Sequence, residues 1–256
     1  MNSALLKSTF RSIRNTFSRF ISIVLIVAIG LAFFAGVKAT SPGINKTTQK
    51  YFLENNLFDL RILSTLGLTN ADVDAISKVE NVEYVMPTNF VDALVWVNGE
   101  VESDIDGSQI STRAYGIDLD YLNDYHNGII DGSFINKPTL LDGTYPTKAD
   151  ECLVDASDLS TPESFKIGAK IRLEGDRDSI FATLNTNEFT IVGIIRNPYY
   201  VSFERGNSLV GSGKIGTYMY IPTTAFETDY YSEVYVKVRG ANQFGPYSDE
   251  YFDFVN

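Results

Sequence analysis

One cysteine and one histidine are all that 256 residues offer of the side chains that serve most metal sites and thiol or imidazole catalysts. Cys152 alone cannot close an intrachain disulfide, so a domain outside the cell would rest on its core. A zinc site or a Ser–His pair could use only His126, and no Cys or carboxylate joins it at ligand spacing. No Gly-x-Ser-x-Gly elbow occurs. These gaps exclude the common hydrolase and zinc chemistries, and the expectation is a non-enzyme with no cofactor. Acidic residues are missing from residues 1–40, which hold Lys7, Arg11, Arg14, Arg19 and Lys38. Of 21 basic and 32 acidic residues overall, the remainder keeps 16 basic against 32 acidic, a net −16. A basic end suits anionic lipid, and an acidic body is a poor partner for nucleic acid. Apolar side chains are plentiful, at 44%, with 17 Phe and 15 Tyr, which is the composition of a packed domain.

The apolar residues concentrate first in "FISIVLIVAIGLAFFAGV", Phe20 to Val37, 18 residues without a charge. At about 1.5 Å per residue such a helix reaches roughly 27 Å, close to the hydrocarbon thickness of a bilayer. Only Ser22 is polar, which a half-buried soluble helix would not tolerate on one side alone. Val37 and Ala39 also fit the small-residue pattern of a cleaved leader, so release after Ala39 is a second reading. Against it, Leu6, Phe10, Ile13 and Phe17 recur at helical steps, with Lys7, Arg11 and Arg14 on another face. That is an amphipathic helix lying on a membrane surface. The anchor expected is therefore Arg11, Arg14 and Arg19 at the inner surface, with Phe20, Ile23, Leu25, Ile29, Phe33 and Phe34 in lipid. The charge bias places the N-terminus in the cytoplasm and the domain outside.

Beyond the span, Ser41-Pro42 reads as the start of a new helix running to about Asn55. "DLRIL", "VEYVMP", "FVDALVWV" and "ISTRAYGI" read as strands. Thr69-x-x-Asp72 opens a helix with a capping box, and Asn98-Gly99 marks a hairpin. From Asp118 turns become dense, and the strands "ECLVD", "AKIRLEG", "EFTIVGII", "TYMYIP" and "EVYVKV" follow. Phe189, Ile191 and Ile195 fall on one face of theirs, and Val234, Val236 and Val238 on one face of theirs. The fold class is α+β. The expected organisation is an interfacial helix at 1–19, a transmembrane helix at 20–40 and a stalk helix at 41–57. A mixed α+β lobe follows at 58–117, and the residues from 118 on form a β-rich lobe.

Weak motifs yield no chemistry. "GNSLVGSGKIG" has Gly213-Lys214, but Ser208 stands where a phosphate-binding loop needs its first glycine and Ile215 where it needs a hydroxyl. Asp104/Asp106 and Asp118/Asp120 lack the further ligands of a calcium loop. Cys152 reads as a buried structural thiol, and Trp96 as packing in its hairpin. The Gly-rich stretch, expected to be a mobile loop, begins with Tyr199, Tyr200 and Phe203 and carries Gly206, Gly211 and Gly213. Together these form a candidate loop for touching an extracellular peptide or protein partner, or lipid.

The opening "FRSIRNTFSRFISIVLIVAIGLAFFAGVKATSPGINKTTQKYF" resembles that of FtsX/MacB-type ABC transporter permeases. So do "DLRILSTLGLTNADVDAI", "VEYVMP", "AYGIDLDYL", "DGTYPTKADECLVD", "FKIGAKIRL", "FTIVGIIRNPYY" and "YMYIP", in that order, across nearly the whole chain. The resemblance implies a non-catalytic permease subunit of a bacterial cell membrane, partnered by a cytoplasmic ABC ATPase. ATP hydrolysis inside would move an outer domain that exports, or does mechanical work on, a peptide, lipoprotein or envelope partner. Family members usually have four spans and this sequence has one, so it resembles their N-terminal portion. The resemblance also implies that 231–256 returns to the mixed lobe of 58–117, which leaves 118–230 as the β-rich lobe. The rival function is a single-pass anchored extracellular domain that binds or senses a ligand.

Overall fold

The computed structural model describes residues 11, 16–103, 107, 109–126, 134–155, 163–175, 183–199, 205–246 and 248–255, with backbone alone for Ser41, Tyr125 and His126. The chain divides into two compact units, Met1–Tyr51 and Phe52–Asn256.

The first unit is carried by α1 (Phe17–Glu54), a helix of 38 residues that ends just inside the second unit. Every residue from Thr16 to Thr40 is exposed, the apolar stretch included. The expected restart at Ser41-Pro42 does not occur, because the helix runs through Pro42. Proline removes one N–H donor, but its fixed φ is itself helical. Thr40 and Thr47 donate their hydroxyls back to the carbonyls of Gly36 and Gly43, at 2.8 and 3.0 Å.

The second unit contains two sheets. The smaller is antiparallel, in the order β1 (Leu60–Leu68), β11 (Tyr231–Val238), β2 (Val82–Thr88). One face packs Val234, Val236 and Leu68 against Val73 and Ile76 of α2 (Asn70–Ser77). Thr69 caps α2: its side chain accepts from Asp72 N while Asp72 accepts from Thr69 N at 2.8 Å, the reciprocal box read in the sequence.

The larger sheet runs β4 (Glu100–Val101), β3 (Phe90–Val97), β5 (Ser111–Ile117), β10 (Thr217–Pro222), β7 (Glu151–Asp155), β9 (Glu188–Arg196), β6 (Thr139–Gly143). A further strand, β8 (Lys170–Glu174), pairs with both β3 and β9 and so closes the ring β3-β5-β10-β7-β9-β8. Closure leaves those strands no free edge. Small Ala93 and Ala114 and large Phe189 and Met219 share its buried core with Cys152. Asn98 and Gly99, both at positive φ, make the hairpin from β3 to β4.

Three expectations change. β3 and β5, assigned to the mixed lobe, belong to this ring. The chain passes from β2 to β3 through Asn89 alone, with no linker to mark the change. Phe189 and Ile191 pack in the ring core, but Ile195 packs with the second core on its outer side. An extra residue at Val192, where Cys152 pairs Ile191 but Leu153 pairs Gly193, turns the strand over. Two elements the sequence did not announce, α3 (Leu119–His126) and β6, help cover that second core.

Candidate functional site

The geometry that could transmit or bind something gathers where α1 ends and the two sheets of the second unit meet. Asn56 (φ 46°) stops the helix: its N–H reaches Leu53 O at 3.3 Å and that of Leu57 reaches Phe52 O at 3.0 Å, a Schellman closure. The next residues are tied in two directions. Toward the segment before β6, Asn136 N donates to Asn56 O (3.0 Å), Asn56 Nδ2 to Phe134 O (3.0 Å), Lys137 N to Asn55 O (3.2 Å) and Phe58 N to Asn136 Oδ1 (3.1 Å). Toward the small sheet, Lys237 Nζ donates to Leu57 O (2.6 Å) and pairs with Asp59 (3.2 Å). Asp59 also accepts from Val238 N and from the Tyr251 hydroxyl of α4 (Asp249–Val255), both at 2.8 Å.

Behind this junction lies a charged aromatic seam. Glu233 on β11 is 0% exposed, and Arg61 Nε on β1 donates to its Oε2 at 2.6 Å while the Tyr235 hydroxyl donates to its other oxygen. Burial works against the Arg61 charge, but the Glu233 carboxylate outweighs it and the guanidinium is held above its ordinary pKa. Burial, reinforced by Tyr115 and Glu233, pushes the Tyr235 phenol well up. Tyr199 is the hub: its ring lies 5.2 Å from Phe58, 5.8 Å from Tyr235 and 6.4 Å from Tyr115, with the Arg61 guanidinium 5.4 Å above it.

Beside the seam is a cavity of about 270 Å³. Val85 and Tyr235 border it from the small sheet, Tyr115 and Tyr220 from the ring, and Tyr121 and Asn136 from the segments covering the ring. Among the described residues there is no group of three or more His, Cys, Asp or Glu able to hold a metal ion.

The MacB-like periplasmic core domain family matches residues 20–249. The chain belongs to this family. In fold it is similar to two solved structures. One is the periplasmic region of MacB from Actinobacillus actinomycetemcomitans, at 11% identity and TM-score 0.38, over 75% of this chain and 71% of that one. The other is the extracellular domain of the noncanonic ABC-type transporter YknZ from Gram-positive bacteria, at 15% identity and TM-score 0.40, over 75% and 84%. No curated protein matches it. This MacB-like domain is of the ABC-transporter-type permease family, and among the described residues one helix is long and apolar enough to cross a membrane.

In this MacB-like chain the sequence-derived anchor residues Arg11, Arg19, Phe20, Ile23, Leu25, Ile29, Phe33 and Phe34 are all exposed, and Arg14 lies outside the described residues. The expected partner loop is not one unit. Tyr199 packs into the seam, and Tyr200 and Phe203 lie outside the described residues. Gly206, Gly211 and Gly213 belong to a turn tied down by hydrogen bonds, not a loose one: Ile215 N reaches Gly206 O and Ser208 N reaches Gly213 O, both at 3.0 Å. The Ser111 hydroxyl fastens that turn to β5 through Lys214 O. Its one fully exposed apolar side chain is Leu209, at 100%. Sequence reasoning missed Arg61, Glu233, Asn136 and the cavity. A signal existed for the first two, since "DLRIL" places Arg61, and "EVYVKV" places Glu233, inside an apolar strand.

Proposed function

We propose that the chain is the membrane-anchored outer part of an ABC transporter permease, non-catalytic, that receives movement from a cytoplasmic ATPase and passes it to an extracellular partner. In this reading the N-terminus lies in the cytoplasm of a bacterial cell, α1 crosses the cell membrane and the second unit stands outside. Family membership supports the permease class. The observation that carries the coupling is continuity: the apolar stretch and Glu54 lie on one helix, and Asn55 to Asp59 directly after it are bonded both to the cover of the ring and to the small sheet. A displacement carried by α1 would enter the second unit at Asn55–Asp59, where both sets of bonds begin. Leu209 is the proposed point of contact for a peptide or protein outside.

The test is purification of the protein from bacterial membranes, followed by insertion of a Gly-Ser-Gly-Ser segment between Glu54 and Asn55. An ABC ATPase should co-purify with both forms. ATP-driven change in a spin-label distance between α1 and β11 should be lost in the insertion form only. Absence of any ATPase, or an unchanged ATP response after insertion, would refute the reading.

A further inference from the structure

We propose that the cavity between the two sheets is a binding site for a small neutral aromatic molecule carrying a hydrogen-bond acceptor. Three observations converge on that chemistry. First, the walls are aromatic: Tyr115, Tyr121, Phe134, Tyr199, Tyr220 and Tyr235 all line the space. Ring faces and edges reward a flat guest, and aromatic pairs add about 0.5–1.5 kcal/mol each beyond burial. The volume, about 270 Å³, exceeds the roughly 150 Å³ that accommodates benzene in an engineered protein cavity, leaving room for a short substituent.

Second, Asn136 lines the cavity, is 5% exposed, and its Nδ2 has no hydrogen-bond partner among the described residues. Its Oδ1 is engaged by Phe58 N at 3.1 Å, which fixes which end of the amide is spare. A buried amide donor without an acceptor is costly, and native structures rarely keep one without a use. A carbonyl or ether oxygen on the guest would satisfy it.

Third, the described lining holds no Lys, Arg or His, while the exposed carboxylate of Asp118 stands among it. An anionic guest is therefore disfavoured, and a neutral one is not. Because β2 and β11 form one wall and β5 and β10 another, an occupant would touch both sheets. The binding does not depend on the ATPase-coupling reading.

The probe is N,N-dimethylbenzamide, an aromatic ring with an acceptor and no donor, titrated by saturation-transfer NMR and calorimetry against the full chain in lipid nanodiscs, with empty nanodiscs subtracted. Saturable binding is expected, and N,N-dimethylcyclohexanecarboxamide should bind at least tenfold more weakly. Asn136→Asp keeps the Oδ1 acceptor and a side chain tolerant of φ 57°, but replaces the donor, and should weaken binding at least tenfold. Thr223→Trp, on a cavity residue outside both sheets, should fill the space and abolish binding. Circular dichroism of both variants should match the parent and both should melt cooperatively, Asn136→Asp at a lower temperature because it buries a carboxylate. No saturable binding by the parent, or binding unchanged in both folded variants, overturns the proposal.

Discussion

Arg61 and Glu233 stand 172 residues apart in sequence and meet at 2.6 Å between β1 and β11, with Glu233 wholly buried. Removing one partner strands the other charge away from water, which typically costs about 3–5 kcal/mol. Because Arg61 keeps some exposure, Glu233→Ala should lose about 3 kcal/mol in urea denaturation. The double variant Arg61→Met/Glu233→Leu should regain most of it. A loss below about 1 kcal/mol in Glu233→Ala would show that the pair does not hold the seam.

Gly143 ends β6 at φ +82°, and a Cβ there would lie 2.2 Å from Val192 O, at the residue where β9 turns over. Gly168 has a similar φ, +87°, with open space around it. Left-handed backbone alone costs an L-residue about 1–2 kcal/mol. Gly168→Ala should therefore lose about 1 kcal/mol and Gly143→Ala more than twice that, measured by denaturant midpoint at constant slope.

Much of this architecture was legible because period-two alternation, the Thr69–Asp72 cap and the Asn98-Gly99 turn are local. What stayed hidden was non-local. Asn89 hands the chain from one sheet to the other, and its Nδ2 donates to Thr228 Oγ1 (2.6 Å) and Tyr230 O (3.0 Å), where the chain crosses back into β11. A one-residue crossing leaves no composition change, so β3 and β5 looked like neighbours of β2. The bulge at Val192 is likewise set by pairing with β7, not by its own sequence. Half-buried Arg61 and buried Glu233 keep the same spacing as a solvated face, and Tyr199 sits beside a Gly-rich turn, so each resembled surface until its partner was seen.

Burial pushes the Cys152 thiol and the Tyr235 phenol up. Both stay protonated in the fold, so above about pH 8.5 for the thiol and about pH 10 for the phenol the unfolded chain binds fewer protons than the folded one. Stability from these groups is whole below that range and is lost as pH rises through it toward the raised folded values. Unfolding midpoints should fall from about pH 8.5 upward, and Cys152→Ala should delay the onset to about pH 10. An onset that does not move in Cys152→Ala would contradict the burial of the thiol.

The proposed role requires α1 to hold the second unit at the outer face of a membrane, and one labelling experiment reads this directly. Cys152 is buried, so Leu209→Cys, on a fully exposed side chain, adds the reactive thiol. With the protein expressed in bacterial cells (spheroplasts if there is an outer membrane), a membrane-impermeant maleimide should label Leu209→Cys and not the parent, and the labelled protein should stay with the membranes after a high-salt wash. Labelling only after the inner membrane is broken, or recovery of the protein in the soluble fraction, would contradict it.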